Sequence, residues 1–139
     1  MEVVNKVTPT PEQFEQFFSQ GEDGPFVMVN LLKFRDRAEY GDGSYSDKTG
    51  ADAYRHYADA VQKHIASVGA KSLTSGAVTG LMLGEVEELW DMVGLVEYPS
   101  LQAFQAMLTT PEYQEIAVHR EAGLAGQLNI KVKPAKVSG

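Results

Sequence analysis

The chain has 139 residues, 43% of them hydrophobic, which suits one domain with a buried core and is too short for two of ordinary size. Its 12 Lys and Arg against 19 Asp and Glu give a net charge of −7, which opposes the phosphate neutralisation on which nucleic-acid and anionic-membrane binding rest. The absence of cysteine removes disulfides, thiolate metal ligands and cysteine nucleophiles, and the lack of a basic-then-apolar start or a long apolar run makes cytoplasmic residence the default expectation.

Thr10, Pro11 and Gln13 carry a helix-start signature, with Phe14, Phe17 and Phe18 as one apolar stripe, which predicts a helix over residues 10–20. Phe26 to Phe34 (FVMVNLLKF) is almost continuously apolar and β-rich, as a central strand covered on both faces would be. Arg35 to Gly50 lacks periodicity and carries glycines, tyrosines and acidic residues, so it predicts a long surface loop of the kind that serves as a lid.

Ala51 to Val68 places Tyr54, Tyr57, Val61 and Ile65 at helical spacing before Gly69, which predicts an amphipathic helix. Ala70 to Gly84 reads as a weaker strand interrupted by Gly76 and Gly80, and Trp90 to Tyr98 as a stronger one ended by Pro99. Ser100 caps a helix with Leu101, Phe104, Met107 and Leu108 facing inward; Thr110 and Pro111 begin another with Tyr113, Ile116 and Ala117 inward. Leu128, Ile130 and Val132 alternate with Gln127, Asn129, Lys131 and Lys133, which predicts a last strand with one wet face near a sheet edge. The domain core then spans about residues 25–133, with a loose tail over 135–139.

A helix followed by β-α-β-β-α-β is the ferredoxin-like α+β arrangement, a four-stranded antiparallel sheet with helices on one face. Because the first strand is apolar on both faces, its second face needs a cover, and a second copy of the chain is the economical one. A homodimer through the sheet face is therefore expected.

Candidate chemistry gathers at few residues. Arg120 falls on the stripe of Tyr113, Ile116, Ala117 and Leu124, putting a guanidinium in core register. It reads as an anion-binding group facing a cleft, as the cation of an internal salt bridge to Glu97, Asp91 or Glu121, or as a side chain snorkelling at the dimer seam. His119 beside it is a candidate general base, or half of a surface pair with Glu115. Asn30, a lone amide in the first strand, would orient a ligand carbonyl or satisfy a bulge near Gly76 or Gly94, while Lys33 lies on the opposite face and with Arg35 suggests an anion site or solvated cations. Tyr54, Tyr57 and Trp90 serve either as packing or as the walls of a cleft for a flat aromatic ligand. The three histidines lack close metal-ligand spacing, and neither phosphate-loop nor nucleophile-elbow motifs occur, so no metal and no nucleotide are expected.

MVNLLKF (Met28–Phe34), AYRHYADAV (Ala53–Val61), WDMVGLVEYPS (Trp90–Ser100) and PEYQEIAVHREAGL (Pro111–Leu124) together resemble the bacterial domain of unknown function 1330 family, over roughly Pro25 to Ile130. The resemblance implies a dimeric α/β barrel. Its superfamily also holds cofactor-free monooxygenases, haem-degrading enzymes, muconolactone-isomerase-like and EthD-like proteins, which share a cleft but no single mechanism. The residue 10–20 helix and the Arg35–Gly50 loop depart from shorter members, and no catalytic residues carry over.

The reading is a homodimer that binds a small anionic or aromatic metabolite without a cofactor, with His119 and Arg120 as catalytic candidates and Asn30, Lys33, Tyr54, Tyr57 and Trp90 as ligand contacts. In its enzymatic form, an isomerase or monooxygenase, His119 removes a proton while Arg120 and Asn30 stabilise an enolate. The alternatives are a non-catalytic dimeric binding or assembly module and, further off, a haem protein with a histidine axial ligand.

Overall fold

Thr10, Ser100 and Thr110, the residues read as helix starts, each accept a hydrogen bond from the backbone N–H three residues on. They are seen in a computed structural model that describes residues 2–19, 24–44 and 47–135. The helices they open are α1 (Pro11–Phe18), α3 (Leu101–Leu108) and α4 (Pro111–Gly123); Thr49 caps α2 (Gly50–Ser67) in the same way. Such caps satisfy amide groups that the helix itself leaves unpaired and contribute about 1 kcal/mol each. Gly69, at φ 78°, supplies the left-handed turn after α2 that a side chain would resist.

The strands are β1 (Phe26–Phe34), β2 (Lys71–Ala77), β3 (Met92–Tyr98) and β4 (Leu124–Val132). They form one antiparallel sheet in the order β2-β3-β1-β4, the ferredoxin-like arrangement preceded by α1. β1 is flanked on both sides, which explains why its sequence tolerates no run of polar residues. One face carries the buried Phe26, Met28 and Leu32; the core joins Phe26 and Met28 to Tyr57, Val61 and Ile65 of α2, Phe104 and Met107 of α3, and Tyr113 of α4. Fully burying a side chain of this size stabilises by about 1.5–3 kcal/mol. α1 docks at one end through Phe17 and Phe18 against Phe26 and Phe104.

Three expectations need correction. The strand predicted over Ala70–Gly84 ends at Ala77, and the bond from the Val78 N–H to the Asp91 carbonyl closes its pairing with β3, leaving the residues between as an excursion. Gly80 and the left-handed Gly84 deprive that stretch of extended geometry. Leu124, assigned to the α4 stripe, is instead the first residue of β4 and fully buried. Most consequentially, the polar face of β4 is the inner one. Register pairs Leu128 with Leu31 and Ile130 with Val29, so the apolar row of β4 shares the open sheet face with Val27, Val93 and Leu95. Ile130 and Val132 are 44% and 42% exposed there.

The Arg35–Gly50 loop, of which residues 45 and 46 lie outside the described residues, is stitched at its stems to the end of α4. The Arg35 N–H donates to the Gly123 carbonyl, Glu39 to Ala122, and Gly50 to the Arg35 carbonyl. α2 and α4 cross here so closely that a Cβ on Gly50 would stand 2.1 Å from the Arg35 carbonyl oxygen, and one on Gly123 would stand 2.4 Å from that of Gly50. Of the tail expected to be loose, residues 136–139 also lie outside the described residues.

Candidate functional site

β4 follows α4 without a loop, so the last turn of that helix hangs over the first residues of the strand. Arg120 Nη2 donates to Gln127 Oε1 at 2.6 Å, and Gln127 Nε2 donates onward to Asn30 Oδ1 at 2.9 Å and Asn129 Oδ1 at 2.6 Å. Asn30 Nδ2 in turn donates to the Gly94 carbonyl at 3.2 Å. A polar strip thus runs across the inner face of β4, β1 and β3, the face that elsewhere is core. At its β3 end Gly94 is bare: a Cβ there would meet only the Ser75 side chain, at 4.0 Å.

Above this floor lies a cleft of about 1270 Å³ between sheet and helices, lined by Tyr54, Tyr57, Tyr113 and Arg120 and walled at one end by α1 and the segment before it. Among the described residues no carboxylate forms an ion pair with Arg120, so none of the three salt-bridge partners considered for it holds it. Among the described residues its side chain's one hydrogen bond goes to a neutral amide. Guanidinium groups carry five N–H donors in a fixed fork, which leaves most of this one directed at the cleft.

The tyrosines hold their protons. Burial pushes Tyr54 up to about 12, against the opposing pull of the nearby Arg120 charge. Burial, then the proximity of Tyr113, raises Tyr57 well above the ordinary phenol range, and the two hydroxyls are bonded to each other at 3.0 Å. Tyr54 stacks obliquely on Phe34 and Tyr57. At neutral pH these groups are hydrogen-bonding walls, not bases.

Of the residues predicted from sequence, Asn30, Tyr54, Tyr57 and Arg120 are brought together in this cleft. His119 is not. It turns to the other side of α4, where Tyr40 is hydrogen-bonded to its Nδ1 and the His56 ring lies 4.1 Å away, in a separate cavity of about 450 Å³ beside Asp42 and Ser44. Burial first and His56 second lower its pKa. Lys33 and Trp90 are separated too, on the opposite face of the sheet. Lys33 is only 8% exposed, its ammonium 3.4 Å from Glu88 and 5.6 Å from the centre of the Trp90 ring. Arg35, its suggested companion, pairs with Glu39 at 3.1 Å. Gln127, the hinge of the polar strip, escaped sequence reasoning because its row was read as solvated; the signal was the pair of amides Gln127 and Asn129 two positions apart, matching the lone amide Asn30.

Among the described residues no group of three or more metal-ligating side chains occurs, and no helix is long and apolar enough to cross a membrane. None of the three histidines lines the cleft, so it offers no axial histidine to a haem.

Residues 43–131 match the family described as domain of unknown function (DUF1330). A solved protein of unknown function from Rhodopseudomonas palustris is 35% identical, with 96% of this chain and 100% of that one aligned and a TM-score of 0.87. A dimeric ferredoxin-like protein of unknown function from Bacteroides fragilis aligns over 79% of this chain and 96% of its own at 14% identity and TM-score 0.53. A dimeric ferredoxin-like protein of unknown function from Thermobifida fusca does so over 81% and 93% at 16% identity and TM-score 0.52. No curated protein matches. The last two likenesses are of fold alone, whereas the family match and the 35% identical relative bear on lineage: the chain belongs to the DUF1330 family.

Proposed function

We propose that this protein is a homodimer that binds a small anionic metabolite with a flat or apolar body in the cleft between sheet and helices. The observation that carries the binding reading is Arg120, a guanidinium anchored by the neutral Gln127 and facing a tyrosine-lined cavity, with no carboxylate partner among the described residues. A carboxylate or enolate oxygen would complete the fork, because charge-assisted, bidentate bonds are the strongest such a site makes. Tyr54 and Tyr57 would pack on the ligand's body. The dimer is supported by the apolar open face of the sheet and by the dimeric relatives of the same fold.

Enolate stabilisation fits this cleft better than proton abstraction does. His119 faces elsewhere, Tyr54 keeps its proton to about pH 12, and the rim carboxylates Asp59 and Glu121 are exposed. Binding is therefore the reading, with any isomerase- or oxygenase-like step dependent on a base the substrate itself supplies. Calorimetric titration with aromatic carboxylates and their matched neutral amides tests it. The carboxylates should bind at least about tenfold tighter, worth some 1.4 kcal/mol, and Arg120→Ala should erase the difference. Equal affinities, or a preference that survives Arg120→Ala, would sink the proposal.

A further inference from the structure

Between β2 and β3 the chain leaves the sheet at Val78 and returns at Asp91, and between Gly80 and Gly84 this excursion carries three exposed apolar residues in a row, Leu81, Met82 and Leu83. Met82 is fully exposed and Leu83 is 89% exposed. A single exposed apolar side chain means little, but three in succession on one tip mark a surface made for contact. The root of this excursion is firmly held. The Asp91 N–H donates to the Leu32 carbonyl at 2.7 Å, Asp91 Oδ2 accepts from the Phe34 N–H at 2.8 Å, and Glu88 and Trp90 enclose the Lys33 ammonium. An apolar tip on an anchored root is an arm, not a frayed turn.

Lys33 shares its face of β1 with Val27, Val29 and Leu31, so the arm departs from the open face of the sheet, continuous with that apolar row. That face by itself is a small footing for a dimer. Four strands about 4.8 Å apart and seven residues long at about 3.3 Å each project roughly 450 Å², and the β2 quarter carries Lys71, Thr74 and Gly76. Stable interfaces bury about 800 Å² per partner. The tip supplies the kind of surface that is short.

We infer that the Leu81–Leu83 tip docks on a second copy of this chain, as an arm that extends the sheet-to-sheet contact beyond the edge of the sheet. The inference rests on the proposed homodimer, and three variants separate the two. Sedimentation equilibrium should find the wild type dimeric and Leu95→Glu, on the open face, monomeric. The triple variant Leu81→Ser, Met82→Ser, Leu83→Ser should remain folded and raise the dimer dissociation constant at least about tenfold, as loss of a buried apolar cluster does. Because the chain has no cysteine, Met82→Cys offers one thiol for a photocrosslinker, which should yield a covalent dimer. A dissociation constant unchanged within twofold in the triple variant, or labelled Met82→Cys that crosslinks only within its own chain, overturns the arm while leaving the dimer standing. A wild type monomeric at all concentrations overturns both. So does wild type that cosediments with phosphatidylcholine–phosphatidylglycerol vesicles and loses this with the triple variant, if it is monomeric there, since the tip would then be a membrane foot.

Discussion

Arg120 and His119 are adjacent in sequence, yet one step along an α-helix turns a side chain by about 100°, and that rotation sends the guanidinium into the cleft and the imidazole into a separate cavity. Two outcomes follow at this scale. In an alkaline titration followed by tyrosinate absorbance, Tyr54 should ionise near pH 12, and Arg120→Ala should push it higher, because the guanidinium is what pulls it down. An unchanged or lower Tyr54 value in that variant would show that the two groups do not sense each other. His119 has the opposite consequence. Its pKa in the fold is lowered, so the unfolded chain binds the extra proton first as pH falls below about 6.5. The neutral form's advantage is complete above that value and is lost progressively as pH drops toward the folded pKa. The melting temperature should therefore fall between pH 7.5 and 5.5, His119→Gln should flatten the fall, and His56→Gln, which removes the lesser of the two causes, should flatten it in part. A slope that His119→Gln leaves untouched would assign it to other groups.

At the level of elements, the cleft exists because α2 and α4 are pinned together at one end and stand over the sheet along the rest of their length. The pin is the pair Gly50 and Gly123, whose missing side chains let backbone meet backbone. Either glycine replaced by alanine forces a Cβ to within 2.4 Å of carbonyl oxygens that hydrogen bonds hold in place, so the helices must part. The expected loss is about 1–3 kcal/mol or more, measurable by urea denaturation, with Gly76→Ala, where nothing lies within 4 Å, as a control near zero. If Gly123→Ala unfolds at the wild-type urea concentration, the crossing is looser than drawn. Helix starts were legible in advance because capping is local chemistry: Thr10, Ser100 and Thr110 each satisfy an amide three residues away. The end of β2 was not, since Val78 to Asp91 is rich enough in Val and Leu to pass for strand, and only pairing with β3 decides where the ladder stops.

For the whole molecule, the open sheet face is the outstanding feature. Val27, Val29, Leu31, Val93, Leu95 and Leu128 line it, and among the described residues no helix covers them. Leu95→Glu should convert a dimer at micromolar concentration to a monomer without loss of helix content, because its side chain lies outside the core; native mass spectrometry reads both mass and any retained ligand. A dimer that tolerates the glutamate would place the contact elsewhere. By itself the sequence determined the order of helices and strands, the central place of β1 and the family, because periodicity, caps and turn residues act over a few positions. Tertiary structure alone decided which face of β4 looks inward, that Gln127 links Arg120 to Asn30, and that His119, Lys33 and Trp90 lie away from the cleft. Alternation along a strand says that two faces differ; only the register with β1 says which one the helices cover.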